Sequence, residues 1–282
     1  MSSMNFKDAV VVVTGAASGI GRALAELAVR RGAHVAVADI EIAKATDAAA
    51  AINAACAGDA GRAMPFQVDV SDAGSFSALA DSVARDLGPV NVLFNNAGVF
   101  AMGGLDRTSA NNFRWVFEVN VFGTFNGVSA FLPALQASAA AGRLAHIVNT
   151  GSENSLGLPP GGQFTAYTAT KHAILGMSDG LRRDLKSSGI GVSVVCPGAV
   201  NTGLWNSARN RPGSLGGPKP SPTGLAQALA HGQDPDDVAR MAFEGMDAGE
   251  FIIVTNPAIR KMAEQRNAEV AQALDMADRR CR

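Results

Sequence analysis

Residues 9–21 read Ala9-Val10-Val11-Val12-Val13-Thr14-Gly15-Ala16-Ala17-Ser18-Gly19-Ile20-Gly21. The run from Ala9 to Val13 is apolar on both faces of a strand, so helices must cover that strand from both sides. Glycines then follow in a Gly-x3-Gly-x-Gly spacing, and a helical pattern begins near residue 20. Glycine lets the chain turn sharply and lets its backbone approach an anion. A helix starting at such a turn points unpaired N–H groups and a partial positive charge at that anion. The spacing is not the commoner Gly-x-Gly-x-x-Gly, and many strand–helix turns use glycine for structural reasons alone. The buried strand before and the amphipathic helix after favour a dinucleotide pyrophosphate site.

The same alternation continues along the chain. Short apolar runs at 9–13, 34–38, 63–68, 90–94, 145–149, 192–196 and 251–254 predict strands, and helical patterns fall at about 20–31, 41–55, 73–87, 109–137, 164–187 and 235–247. Strand–helix alternation implies right-handed crossovers. The fold expected is therefore α/β, a doubly wound Rossmann-like parallel sheet of about seven strands with helices on both faces. Of the 282 residues, 1–257 read as one such domain, and 258–282 as a polar helix or tail. Residues 203–232 are crowded with Gly, Pro and Ser. A loop this long in a compact domain suggests a lid over a ligand, or a mere insertion.

Composition narrows the function. With 47% apolar residues and a net charge of −1, the chain is not disordered and offers no basic field for nucleic acid. No apolar run is long enough for a membrane-spanning helix, and residues 1–8 lack the basic cluster of a signal peptide. Cys56, Cys196 and Cys281 are scattered, which points to a reducing cytoplasm rather than disulfides. His34, His146, His172 and His231 show no metal-ligand spacing, so no metal is expected. Only 17% of residues are charged, against roughly 25% in an average domain. That scarcity suggests surface buried against another subunit.

Two further positions carry chemistry. Asp39 ends the second strand, where a carboxylate can accept hydrogen bonds from both adenosine ribose hydroxyls and would repel a 2′-phosphate. Ser18 and Ile40 supply no basic residue for such a phosphate. Asp39 could equally cap the next helix. Asp69-Val70 ends the third strand and could reach the adenine, or Asp69 or Ser71 could cap the helix that follows. Tyr167 and Lys171 stand at i and i+4, one helical turn apart on one face. An ammonium near a phenol favours phenolate, as a general acid/base near neutral pH requires. Tyr167 is the only tyrosine, and Ser152 follows a strand end at which such sheets hold ligands.

Taken together, Thr14–Gly21, Asp69, Asn95-Asn96-Ala97-Gly98, Asn120, Ser152, Tyr167 with Lys171, and Pro197-Gly198 with Thr202 resemble the short-chain dehydrogenase/reductase family over roughly residues 6–257. The resemblance implies Tyr167 as acid/base on the substrate oxygen. Lys171 would lower its pKa and hold the nicotinamide ribose, and Ser152 would hydrogen-bond the substrate oxygen. Asn120 would hold a water relaying protons to solvent. The cofactor would lie along Gly15, Ser18, Gly19, Ile20, Gly21, Asp39, Ile40, Asp69, Val70, Asn96, Ala97, Gly98, Tyr167, Lys171, Pro197, Gly198, Val200 and Thr202. Two departures stand out: Gly151 precedes Ser152 where many relatives have a second serine, and the 152–167 loop, with Leu158-Pro159-Pro160-Gly161-Gly162, is slightly long. Ser155 is thus a rival for the catalytic serine.

The reaction implied is hydride transfer between NAD and a secondary alcohol or ketone. NADP, and with it an NADPH-dependent ketone or 3-oxoacyl reductase, is the alternative, and an inactive nucleotide-binding relative a third reading. Phe100, Met102, Leu158, Leu204 and Trp205, with Leu156 and Leu215, would wall an apolar pocket for a hydrophobic or aromatic substrate. In 113–132 the apolar residues surround the helix, and relatives pair this helix across a two-fold axis. A homodimer or homotetramer is expected.

Overall fold

The valines of the opening strand divide their side chains with the period of two that a strand imposes. Val11 and Val13 enter one apolar cluster with Leu24, Val29, Phe243 and Met246, while Val10 and Val12 enter another with Phe76, Phe131, Leu135 and Ile147. Every residue of this strand is buried. Each such side chain contributes about 1.5–3 kcal/mol on leaving water. In the computed structural model, which describes residues 3–58, 61–158, 163–220 and 224–281, the strand is an interior member of a parallel sheet.

The sheet holds β1 (Val10–Thr14), β2 (His34–Asp39), β3 (Arg62–Gln67), β4 (Val90–Asn95), β5 (His146–Thr150), β6 (Gly191–Cys196) and β7 (Ile252–Val254). Their order is β3-β2-β1-β4-β5-β6-β7, all neighbours parallel. The order reverses direction between β1 and β4, which opens a crevice beyond their carboxyl ends. The expected doubly wound fold is thus present, with strand limits shifted by a residue or so.

The first cluster is covered by α1 (Gly19–Arg30), α2 (Ile42–Ala55) and α8 (Pro235–Asp247), which bring Leu24, Ile52 and Phe243 to the sheet. The second is covered by α3 (Ala73–Asp86), α5 (Gly123–Ala140) and α6 (Thr165–Asp184). The helix expected over 109–137 is continuous but uneven: α4 (Ala110–Phe117) passes through a π turn, Glu118–Phe122, into α5. It is not buried all round. Trp115, Val116 and Phe131 face the protein, whereas Phe122 and Phe125 are 56% and 57% exposed.

Within the expected loop 203–232, of which 221–223 lie outside the described residues, the chain is not structureless. It holds 3-10 turns at Gly203–Asn210 and Gly213–Leu215 and the short α7 (Leu225–Ala230). Leu215 packs with Trp115, Val99 and Ala166 in a third cluster. After β7 the chain forms α9 (Arg260–Arg280), none of whose residues is buried. It is the helical one of the two expected tail forms. Residues 159–162 of the extended 152–167 loop lie outside the described residues.

Candidate active site

The carboxyl ends of β1, β4, β5 and β6 open on one cavity of about 620 Å³. Its wall carries Gly15, Ser18, Gly19, Ile20, Asp39, Ile40, Asp69, Val70, Asn96, Ala97 and Gly98 at one end. Ser152, Tyr167, Lys171, Pro197, Gly198, Val200 and Thr202 line the other. Gly21 and Asn120, also expected at the site, stand behind this wall. Gly21 is needed for packing: a Cβ there would lie 2.3 Å from the Gly15 carbonyl oxygen. Gly15 and Gly19 have φ of +65° and +54°, and a Cβ on Gly19 would lie 2.9 Å from the Thr202 methyl carbon.

The glycine end fits a dinucleotide. Ser18 opens α1 without a side-chain cap, and no acidic residue occupies the first turn, so the N-terminal amides remain available to a diphosphate. Of the two jobs foreseen for Asp39, capping is not found: α2 starts from Glu41 without a side-chain cap, and Asp39 braces the turn before it. Its Oδ1 accepts from Glu41 N at 3.0 Å and its Oδ2 from Ala17 N at 3.1 Å, which turns the chain toward α2 and aims the carboxylate into the cavity wall. Each oxygen keeps a lone pair for a ribose hydroxyl. Asp69 accepts from the N–H and hydroxyl of Ser71, and it is Asp72 that caps α3.

Between the two ends the asparagines act as braces. Asn96 donates to the carbonyls of Thr14 and Gly15, and Asn95 donates to Asn149 at 2.9 Å, tying β4 to β1 and β5. The Asn120 amide is fully engaged. Its oxygen accepts from Val99 N at 2.8 Å, and its nitrogen donates to Val99 O and Thr170 Oγ1. Any water at this residue would therefore bind its main-chain carbonyl in the π turn, which already accepts from Thr124 Oγ1.

The two serines differ in what their hydroxyls do. Ser155 accepts from Ser152 N at 3.2 Å and donates to Lys171 O at 2.8 Å, away from the cavity. Ser152 Oγ accepts the Asn154 N–H and lines the cavity, where its hydroxyl bonds the Tyr167 phenol. Geometry separates these rivals where residue type did not.

The Tyr167–Lys171 pair departs from expectation. Burial pushes the Tyr167 phenol up to about 12, against a downward pull from Ser152 and a further push from Glu153 and Cys196. Burial draws Lys171 down to about 8. Its ammonium stands 5.5 Å from the Tyr167 ring centroid and donates to Thr150 O at 2.8 Å. In the free chain desolvation outweighs the help from Ser152, and the phenol is neutral.

Of the residues expected at the substrate, Phe100, Leu204 and Trp205 line the cavity with Ser152. Phe100 stacks edge-on to Tyr167 at 5.1 Å and packs on Phe164 at 5.4 Å. Met102 and Leu158 do not line it; they are 37% and 50% exposed, because their segments leave the sheet end toward solvent. Leu215 is buried behind the wall, not in it. Sequence reasoning missed Trp115, Glu153, Phe164 and Arg209, all of which line the cavity. Glu153 was legible as the neighbour of Ser152; Arg209 required the path of the 203–210 turn. Arg209 donates twice to Glu41 Oε2, at 2.7 and 3.1 Å, and Asn210 donates to the same oxygen. Burial resists ionisation of Glu41, but hydrogen bonds from Arg209, Lys44 and Asn210 outweigh it and hold its pKa near 2.

The sequence profile described as short chain dehydrogenase matches residues 9–213. The chain belongs to this family. Its members are oxidoreductases, and the family's Rossmann-like fold is the one described above. A short chain dehydrogenase/reductase from Burkholderia phymatum, solved in complex with NAD, superposes with a TM-score of 0.86 at 35% identity, covering 96% of each chain. A short-chain dehydrogenase from Sphingobium yanoikuyae in complex with NADPH gives 0.73 at 26% identity, over 96% of this chain and 95% of that one. The probable oxidoreductase EphD of Mycobacterium tuberculosis is 38% identical over 199 residues, 71% of this chain. This short-chain dehydrogenase spans only about a third of EphD's length, 32%. Among the described residues no helix is long and apolar enough to cross a membrane, and no cluster of three or more His, Cys, Asp or Glu could hold a metal ion.

Proposed function

We propose that the chain is an NAD-dependent oxidoreductase acting on a hydrophobic or aromatic secondary alcohol or the matching ketone. The observation that carries this is the convergence of Ser152, Tyr167 and Lys171 on one cavity whose far end presents Asp39 and the uncapped α1 terminus. Bound there, a nicotinamide cofactor supplies the hydride acceptor or donor and, when oxidised, a positive charge. Ser152, whose hydroxyl meets the Tyr167 phenol in the free chain, turns its hydrogen to the substrate oxygen and stabilises charge developing there. Tyr167, a neutral phenol in the free chain, gives its proton to the carbonyl oxygen in reduction. In oxidation it takes the hydroxyl proton as phenolate, so oxidation rises with pH. Lys171, held by Thr150 O, directs its other N–H groups toward the nicotinamide ribose. A water on the Asn120 carbonyl would connect Lys171 with solvent.

Preference for NAD rests on Asp39 and on Glu41. Arg209 is the cation that comes to the adenosine rim, and Glu41 holds it and neutralises it. The 203–220 segment acts as a lid that excludes water, and the exposed Phe122 and Phe125 form a subunit contact. A reducing cytoplasm suits the free Cys56, Cys196 and Cys281.

The deciding experiment follows NADH absorbance with a panel of secondary alcohols for wild type and Tyr167→Phe. Turnover with NAD⁺ is expected in wild type, falling by about 10²–10⁴-fold in the variant while NADH binding persists. Undiminished turnover in the variant would overturn the mechanism, and better turnover with NADP⁺ would overturn the cofactor assignment.

A further inference from the structure

The residue after Ser152 is an acid in an unfavourable place. Glu153 opens the 3-10 turn that follows β5, and its N–H donates to Pro197 O at 2.7 Å, which ties it to the end of β6. It lines the cavity beside Ser152, Tyr167, Phe100 and Phe164. Burial raises its carboxyl pKa. Among the described residues no hydrogen bond or ion pair reaches that carboxyl.

An unpartnered carboxylate in a half-buried cavity costs solvation. This one also opposes the chemistry, since its charge adds to what raises the Tyr167 phenol. A neutral side chain would serve the reaction pair better on both counts. What offsets both costs is a partner that arrives with the ligand. Phe100, Phe164 and Trp205 on the same cavity carry no charge, and its cations Lys171 and Arg209 already bond Thr150 O and Glu41, which leaves the bound ligands to supply the partner.

We propose that Glu153 is a specificity-determining residue that accepts a hydrogen bond from a second donor on the substrate, a hydroxyl or ammonium on a carbon neighbouring the reacting carbinol. The substrate class is then an aryl- or alkyl-substituted vicinal diol or amino alcohol, or the corresponding hydroxy or amino ketone. A hydrogen bond to a charged acceptor in a site with no alternative partner discriminates strongly. An analogue without the donor leaves the carboxylate buried and unpaired. The inference rests on Ser152 and Tyr167 being the reacting pair, because they locate the carbinol beside which Glu153 stands.

The test compares kcat/KM for 1-phenylethanol, 1-phenylethane-1,2-diol and 2-amino-1-phenylethanol in wild type, Glu153→Gln and Glu153→Leu, with NAD⁺ and with NADP⁺. Wild type is expected to favour the diol or the amino alcohol over 1-phenylethanol by about 10-fold or more. In Glu153→Leu that ratio falls below about 3, and in Glu153→Gln the amino alcohol loses its advantage while turnover of 1-phenylethanol rises as the charge opposing Tyr167 is removed. Equal kcat/KM for the three alcohols in wild type overturns the proposal. So does a preference that survives in both variants, or a wild type that oxidises none of them. NADH binding, measured by fluorescence on the same samples, reports whether the dehydrogenase reading falls with it. Retained NADH binding and turnover of other secondary alcohols leave that reading standing.

Discussion

At the scale of single residues, function here depends on which hydrogen bonds are already used. Ser155 donates and accepts away from the cavity, and Ser152 turns its hydroxyl to the Tyr167 phenol inside it. Ser152→Ala is therefore expected to lower kcat by about 10²–10³-fold. Ser155→Ala should lower thermal stability and change kcat far less, as steady-state assays and thermal unfolding of the two variants would show. The sequence favoured Ser152 by its interval from Asn149 and kept Ser155 as a rival; the direction of each hydroxyl supports the same choice. The Tyr167–Lys171 spacing was legible, since a helical i,i+4 pair shares a face. Its electrostatics were not, because the cost of burial depends on walls contributed by distant segments. Asp39 was legible as either ribose ligand or helix cap; the backbone path that makes it brace the turn before α2 instead was not.

At the scale of elements, periodicity carried the sheet. The period of two in Val10–Val13 and the β-branched runs located strands to within a residue or so, because burial on both faces leaves few alternatives. The 203–220 segment was not legible as structure. Its Gly and Pro content hides short 3-10 turns held by side-chain contacts, with Ser207 on Phe100 N and Arg209 on Glu41. Those contacts join the proposed lid to the start of α2, across the adenosine rim. Replacing Glu41 by Gln should release Arg209. We expect KM for NAD⁺ to rise by about 3- to 10-fold and the preference for NAD⁺ over NADP⁺ to narrow, since the freed guanidinium can meet a 2′-phosphate. Kinetics with both cofactors would check this, and unchanged values for both would remove the latch from the account.

At the scale of the whole molecule, the scarcity of charge has two sources. The sheet is buried on both faces, as foreseen. The aromatic helix is covered only in part, and Phe122 and Phe125 remain outward on the single chain. Each would leave water on pairing with a second copy, contributing about 1.5–3 kcal/mol. Sedimentation is expected to show a dimer or tetramer, and Phe122→Asp with Phe125→Asp to yield monomer; a wild-type monomer would leave that face unexplained. The polar α9, by contrast, adds nothing to the core, and its truncation after Ile259 should leave the melting temperature nearly unchanged.

The close approach of Gly19 to Thr202 has a kinetic consequence. One residue begins the turn that receives the diphosphate, and the other begins the segment that roofs the alcohol pocket. A shift at either would press on the other, which couples the two proposed binding steps. We expect ordered filling, the nucleotide before the alcohol, and product-inhibition kinetics would check it.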